Sequence, residues 1–234
     1  MVLVATRNPL NIGAVARAMS NFGFSSLRLV NPYEPSFREA RSAVGAAELL
    51  AAAGEFKSVA GAVADCSLIV GTTALHNREV QHPVHPLPAA APLIADHLRK
   101  GRVALLFGSE KTGLSNDDLT RCHWLLHIPA QEDHPSMNLG QAAAVCLYEI
   151  SRHIGVTHSQ TSQPDQPTPA TAEEVDRLAA VWFETLFTSG YVKPGAGAIT
   201  EEKLRRMVRR MNLSTPDTEV WMGMLRQVLW KLNH

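Results

Sequence analysis

Four segments of this chain combine residue types that can hold a ligand or an anion. The first, NPLNIGAVARAMSNFG (residues 8–23), follows a short apolar run, and Asn11 is placed to cap a helix beginning near Gly13. Ile12, Val15, Ala16 and Met19 recur on one face of that helix, which puts Arg17 on the other. An arginine so placed is either a solvated charge or a planar fork able to grip a phosphate. The second, LLFGSEKTGLSNDDL (residues 105–119), sets Gly108 and Gly113 in a loop directly after an apolar run, with Ser115 or Asn116 as a helix cap. Glycines let main-chain amides approach a ligand closely, although a tight strand-to-helix turn would use them too. Glu110 inside that loop repels phosphates, so a neutral or cationic ligand suits it better. The third, HIPAQEDHPSMNLGQAAAVCLYE (residues 127–149), runs from Ile128 through Pro135, Ser136, Met137 and Asn138 into an Ala-rich helix. Ser136 or Asn138 caps that helix, and a plain loop with a cap explains the segment equally well. The fourth, GTTALHNRE (residues 71–79), offers the hydroxyls of Thr72 and Thr73, followed by Ala74.

Several chemistries are excluded by order and spacing. Gly108, Lys111, Thr112 and Gly113 do not follow the G-x-x-x-x-G-K-[ST] order of a Walker phosphate loop. The first segment carries one glycine of G-x-G-x-x-G and lacks an acidic ribose ligand, so a nicotinamide-dependent oxidoreductase has little support. No G-x-S-x-G elbow is present for a serine hydrolase. His82 with His85, or His123 with His127, have zinc-like spacing but no third ligand nearby, so no metal is expected.

The elements that must position these segments read as an α/β fold. Val2 to Val4, Leu27 to Val30, Leu68 to Val70, Val103 to Phe107 and Leu125 to Ile128 are continuous apolar runs, as in parallel strands covered on both faces. Helical patterns alternate with them at Gly13 to Asn21, Phe37 to Ala53, Ser58 to Ala64 and Pro92 to Lys100, and Leu139 to Ile154 closes the series. That alternation predicts a parallel sheet with helices on both faces, and ligands in such sheets bind beyond the carboxyl ends of the strands. Residues 1–156 form this domain. Residues 157–172 (THSQTSQPDQPTPATA) have almost nothing to bury and read as a linker. Residues 173–234 form a small helical extension, with helices at Glu173 to Ser189, Glu201 to Arg210 and Asp217 to Leu232. The 22 Lys and Arg residues balance 22 Asp and Glu, so overall charge gives no hint of a polyanionic partner. Three scattered cysteines, no bilayer-length apolar run and no signal-peptide pattern lead us to expect a cytoplasmic protein without disulfides or a membrane anchor.

Taken in order, Asn11 to Arg17 (N-x-G-x-x-x-R), Phe107 to Leu114 (F-G-x-E-x-x-G-L) and Ser136 to Ala142 (S-x-N-L-x-x-A, with Met137 in the second place) resemble the TrmH-like branch of the SPOUT class of RNA 2′-O-ribose methyltransferases. The opening LV-x-T-x-x-x-x-N-x-G, the GT-x-A strand end and the helical tail are similar to the members that modify nucleotide 32 of the tRNA anticodon loop. The resemblance implies a trefoil-knotted fold and S-adenosylmethionine held by Thr72, Thr73, Ala74, Gly108, Glu110, Gly113, Ile128, Pro135, Ser136, Met137 and Asn138. It implies Arg17, Asn11 and Ser136 as catalytic residues, and a homodimer whose cleft is completed by the partner's Arg17. Lys203, Arg205, Arg206, Arg209 and Arg210, with Arg17, are the expected contacts to tRNA. Methylation of another tRNA position or of rRNA, and a catalytically silent RNA-binding protein on the same scaffold, are the alternatives; intact Asn11, Arg17, Glu110, Ser136 and Asn138 weigh against the silent one.

Overall fold

The structure, a computed structural model, describes residues 1–33, 45–74, 81–131, 133, 136–154 and 167–234. Seven strands, β1 (Val2–Val4), β2 (Arg28–Val30), β3 (Gly54–Phe56), β4 (Leu68–Thr72), β5 (Val84–Pro86), β6 (Val103–Phe107) and β7 (Trp124–His127), lie in the order β3-β2-β1-β6-β4-β7-β5. Every pairing is parallel. Successive strand residues point to opposite faces, and here both faces are apolar. Leu3, Leu29, Val70, Leu105, Phe107 and Leu126 face one core, packed by α1 (Pro9–Asn21), α2 (Ala47–Ala51), α4 (Leu87–Leu98) and α6 (Leu139–Ile154). Val2, Val4, Val30, Ile69, Leu106 and Leu125 face the other, under α3 (Val59–Val63) and α5 (Asn116–Thr120).

The five expected strands are all present, and β3 and β5 are additions. Both lie at sheet edges, half-exposed, and contain glycine or proline, so neither shows the apolar run that betrays a central strand. Helix α1 starts at Pro9 and is capped by Asn8, whose side chain accepts from the N–H of Leu10. Asn11 is therefore not the cap. Pro9 at the first helical position, with its φ already fixed, favours this earlier start. Helix α4 likewise begins at Leu87 and holds Pro92 inside it, rather than starting there. Of the helix expected over Phe37 to Ala53, α2 occupies the last turns; residues 34–44 lie outside the described residues.

Helices α7 (Ala172–Thr188), α8 (Gly197–Arg210) and α9 (Thr215–Leu232) form the C-terminal unit around Val175, Leu178, Leu204, Val208 and Leu225, with Trp182 and Trp221 stacked at 5.0 Å. The unit is docked on the sheet domain. Ala172 donates its N–H to the carbonyl of Cys66 (2.7 Å), Glu173 donates to that of Ala64 (3.0 Å), and Ala172 is buried in the second core. The expected linker is thus shorter at its C-terminal end: Ala170 is buried, Pro169 bridges to Ser214, and Thr171 caps α7 through a capping box with Glu174. Residues 157–166 lie outside the described residues.

Candidate active site

A cleft of about 1280 Å³ opens beyond the carboxyl ends of β1, β4, β6 and β7. It gathers Thr72, Thr73 and Ala74 after β4, Gly108, Glu110 and Gly113 after β6, and Ile128, Ser136, Met137 and Asn138 after β7, together with Asn11 from α1. The strand-end segments singled out in the sequence therefore converge on one wall-to-wall cavity, as the parallel sheet requires. Pro135 falls outside the described residues. Thr72 lines the cleft, yet its hydroxyl donates to the carbonyl of Leu106 at 2.8 Å, fastening β4 to β6 instead of pointing a donor at a ligand.

The loop after β6 is shaped by its glycines. A Cβ on Gly108 would collide with the main chain of Gly113 and Leu114, so only glycine lets the loop close on itself there. Gly113 adopts φ +67°, a conformation costly for other residues, and its missing side chain leaves open space beside the cleft. Ser109 closes the turn: its carbonyl accepts from Gly113 at 2.9 Å, and its hydroxyl lies 2.7 Å from that of Thr112.

Glu110 and Asn11 together link the three motifs. Its carboxylate accepts from the side-chain amide of Asn11 at 3.0 Å and from the main-chain N–H groups of Arg7 (3.3 Å) and Asn8 (3.2 Å). Asn11 in turn accepts from the side-chain amide of Asn138 at 2.8 Å. Asn138, not Ser136, caps α6, accepting from Gly140 at 2.9 Å. Burial opposes ionisation of Glu110, but the bonds from Asn11 and from nearby main chain outweigh it and hold the carboxyl below its ordinary range. Glu110 is thus turned toward the protein, and its role is to register the loops. Beneath it, Gly140 approaches Ala14 so closely that a Cβ would press on the alanine methyl, which fixes the crossing of α1 and α6.

The sequence did not single out Ala5, Arg7, Ser109, Lys111 or Thr112 as part of the cleft wall. Ala5 sits at φ +52°, a strained value for alanine that turns the chain out of β1 into the cleft, and nothing in an alanine advertises it. Arg17 is exposed and lies outside the wall of this cleft. Its guanidinium rests on Gly45, where any Cβ would overlap it, and Gly45 has φ +85°.

The basic tail needs a correction. Arg209 is 1% exposed and pairs with Asp176 at 2.6 Å; Arg121 of the sheet domain reaches the same carboxylate at 3.5 Å. It is an anchor of the docked unit, not a surface contact for RNA. The spacing of Leu204, Met207, Val208 and Met211 would by itself predict one buried stripe, but the inward face of α8 is shifted toward Arg209: Leu204, Val208 and Arg209 are buried while Met207 and Met211 stay 37% exposed. Arg205 and Arg206 pair with Glu201 (3.0 Å) and Glu202 (2.8 Å), which dilutes the patch. Lys203 and Arg210 are exposed.

Other reactive groups are inert. Burial pushes the thiols of Cys66, Cys122 and Cys146 up to about 11, 12 and 12, so none is a thiolate nucleophile. Burial, with Arg209 nearby, pushes His123 down to about 3, and its Nδ1 accepts from the N–H of Ile69. Among the described residues no three His, Cys, Asp or Glu side chains gather as a metal site requires, and no helix is long and apolar enough to cross a membrane.

Comparison with known proteins gives consistent matches. The SpoU rRNA Methylase family model matches residues 1–148. The tRNA (cytidine/uridine-2'-O-)-methyltransferase TrmJ of Pectobacterium atrosepticum is 32% identical over 232 residues, covering 97% of this chain and 95% of that protein. The tRNA (cytidine/uridine/adenosine-2'-O-)-methyltransferase TrmJ of Pseudomonas aeruginosa is also 32% identical, covering 97% and 92%. The crystal structure of TrmJ from Z. mobilis superposes with a TM-score of 0.82 at 32% identity, covering 97% of each chain.

Proposed function

The chain belongs to the SpoU rRNA methylase family, and from that premise we propose that it transfers a methyl group from S-adenosylmethionine to a ribose 2′-hydroxyl of tRNA, at nucleotide 32 of the anticodon loop. The observation that carries the reading is the cleft itself, into which the Glu110–Asn11–Asn138 chain of hydrogen bonds, with Asn11 in the middle, locks three separate segments. Such a cleft fits the methyl donor. Leu114, Leu126, Ile128 and Met137 give it apolar wall, and the main chain at Gly113 borders it without a side chain in the way. At about 1280 Å³ it also exceeds the roughly 300–1,000 Å³ of small-molecule pockets, leaving room for part of a nucleotide.

The donor supplies an electrophilic methyl on sulfur, whose leaving thioether is neutral and needs no acid. The protein's task is to place the 2′-hydroxyl in line and to stabilise negative charge as its proton departs. A guanidinium holds its proton throughout the physiological range, so Arg17 acts as a clamp on the adjacent phosphate and as an electrostatic stabiliser, not as the base. Because Arg17 lies outside its own cleft, it serves the cleft of a second copy in a homodimer. The outer faces of α1 and α6, with Leu10, Val145, Tyr148 and Ile154 exposed, are the surfaces for that contact. On the same premise the chain is threaded as a trefoil knot around the cleft, the protein works in the cytoplasm, and Lys203, Arg205, Arg206 and Arg210 meet tRNA phosphates outside the anticodon loop.

The test is methyl incorporation from labelled S-adenosylmethionine into tRNA carrying cytidine, uridine or adenosine at position 32, read by nucleoside mass spectrometry. A 2′-deoxy substitution at that nucleotide must abolish the product. Incorporation that survives it places the target elsewhere, and no incorporation into any tRNA refutes the reading.

A further inference from the structure

We propose that Asp176 is a positioning residue for the cofactor cleft: its carboxylate joins Arg209 of α8 to Arg121 of the sheet domain and so makes the docked C-terminal unit a brace behind the loops that line the cleft. The inference rests on the functional reading above for the identity of the cofactor. Asp176 lies on α7 and takes Arg209 at 2.6 Å and Arg121 at 3.5 Å. The Arg209 side chain is fully buried, and those of Arg121 and Asp176 are 18% and 28% exposed, so water screens this junction little. Among the described residues, Nε and Nη1 of Arg209 are buried without a hydrogen-bond partner, and compensation of its charge falls on that one carboxylate.

Arg121 leads directly to the cleft. It closes α5, a helix of five residues, whose other end is capped by Ser115. Ser115 follows Leu114 of the cleft wall. A helix of little more than one turn does not hold its own shape and takes its position from what its ends and its buried face touch. Cys122, next to Arg121, packs with Leu114 and Leu125 around Gly71. A Cβ built on Gly71 would stand 2.8 Å from the Cys122 sulfur, 2.9 Å from a Leu125 methyl and 3.3 Å from a Leu114 methyl. Gly71 in turn leads into Thr72, Thr73 and Ala74 of the cleft. Ala172, the first residue of α7, is buried in the same core as Leu114, Leu119 and Cys122. The cleft segments after β4 and after β6 thus share one close-packed support with the docked unit. Such packing passes a displacement on instead of absorbing it.

The unit has a second attachment that does not involve Asp176. The N–H groups of Ala172 and Glu173 donate to the carbonyls of Cys66 and Ala64 at 2.7 and 3.0 Å. Removing the carboxylate therefore leaves the unit docked, while the end of α5 loses its tie. That difference separates positioning from mere support of the fold.

The test uses the full chain with Asp176→Asn, Arg121→Gln and the conservative Asp176→Glu. Arg177→Gln, which cuts an exposed pair with Glu173 on the same helix, is the control. Binding of S-adenosylmethionine is measured by calorimetry, binding of tRNA by fluorescence, and amide exchange at residues 71–73 and 108–114 by mass spectrometry. Asp176→Asn and Arg121→Gln are expected to weaken cofactor binding about three- to tenfold, the scale on which a group outside a site modulates it, with faster exchange at those amides. KM for the cofactor rises in step, while kcat at saturating cofactor and tRNA affinity stay within about twofold. Asp176→Glu recovers most of the affinity, and the control matches wild type. Should Asp176→Asn fail to fold, Arg121→Gln keeps the Arg209–Asp176 pair and carries the test. Folded variants that keep wild-type cofactor affinity, or wild-type protection at those amides, overturn the brace. An equal loss of cofactor and tRNA affinity, the mark of general destabilisation, overturns it too. If the wild-type chain binds no S-adenosylmethionine, the functional reading fails, and exchange at those amides still decides the brace.

Discussion

Replacing Glu110 tests the idea that one carboxylate ties the loop after β6 to the segment after β1 and, through Asn11, to the start of α6. In Glu110→Ala the side-chain amide of Asn11 and the N–H groups of Arg7 and Asn8 lose their acceptor. A buried donor left without a partner costs about 1–3 kcal/mol, and Asn11 is only 6% exposed. The two main-chain donors and Glu110 itself are exposed, so water replaces most of what they lose. We therefore expect a loss of about 1–2 kcal/mol for Glu110→Ala, a melting-point drop of roughly 3–6 °C for a chain of this size. Glu110→Gln keeps one acceptor oxygen and should lose about half as much. If the loops must then be ordered when the cofactor binds, the same energy weakens S-adenosylmethionine binding by about five- to thirtyfold. The carboxyl is held below its ordinary range in the folded state, so its contribution is present above the ordinary glutamate value near about 4.3 and fades as pH falls through the folded value. The stability gap between wild type and Glu110→Gln should accordingly be full at pH 7 and shrink in acid. Thermal unfolding from pH 3 to 7, with cofactor titration by calorimetry, reads both effects. A gap that is constant or widens in acid, or a Glu110→Ala protein with wild-type cofactor affinity, refutes the reasoning.

Arg17→Ala should abolish methyl transfer with cofactor affinity within about twofold; Gly45→Ala, by displacing the guanidinium resting on it, should lower turnover about ten- to hundredfold. Wild-type turnover in either variant would remove Arg17 from the chemistry. Arg209→Leu should cost about 2–3 kcal/mol in urea unfolding, less than a fully buried pair because Asp176 is partly exposed and keeps Arg121. Lys203→Gln with Arg210→Gln should leave stability within about 0.5 kcal/mol and flatten the salt dependence of tRNA binding, and the reverse pattern would restore Arg209 to the RNA face. Light scattering at micromolar concentration should give a dimer, and Tyr148→Glu on the outer face of α6 should yield monomers with little activity; a fully active monomer would end the shared-cleft mechanism.

The sequence by itself determined the architecture and the location of the site. Continuous apolar runs at Val2 to Val4, Leu68 to Val70 and Val103 to Phe107 carry enough burial on both faces to specify central parallel strands, and the site of a parallel sheet follows from its strand ends. Ser136 and Asn138 were legible as alternative caps because capping depends on local backbone, and the structure chose Asn138. What tertiary structure alone decided were relations across long separations. That Asn11 is spent on Glu110, 99 residues away, and on Asn138 is a relation its own helix does not show. That Arg209 is buried depends on Asp176 and Arg121 meeting it from two other elements, whereas a helical wheel knows only its own helix. Edge strands β3 and β5 are written in the hydrogen bonds of their neighbours more than in their own side chains. Local patterning reports how a segment wants to be covered; which polar group meets which is set only once the chain has brought its distant parts together.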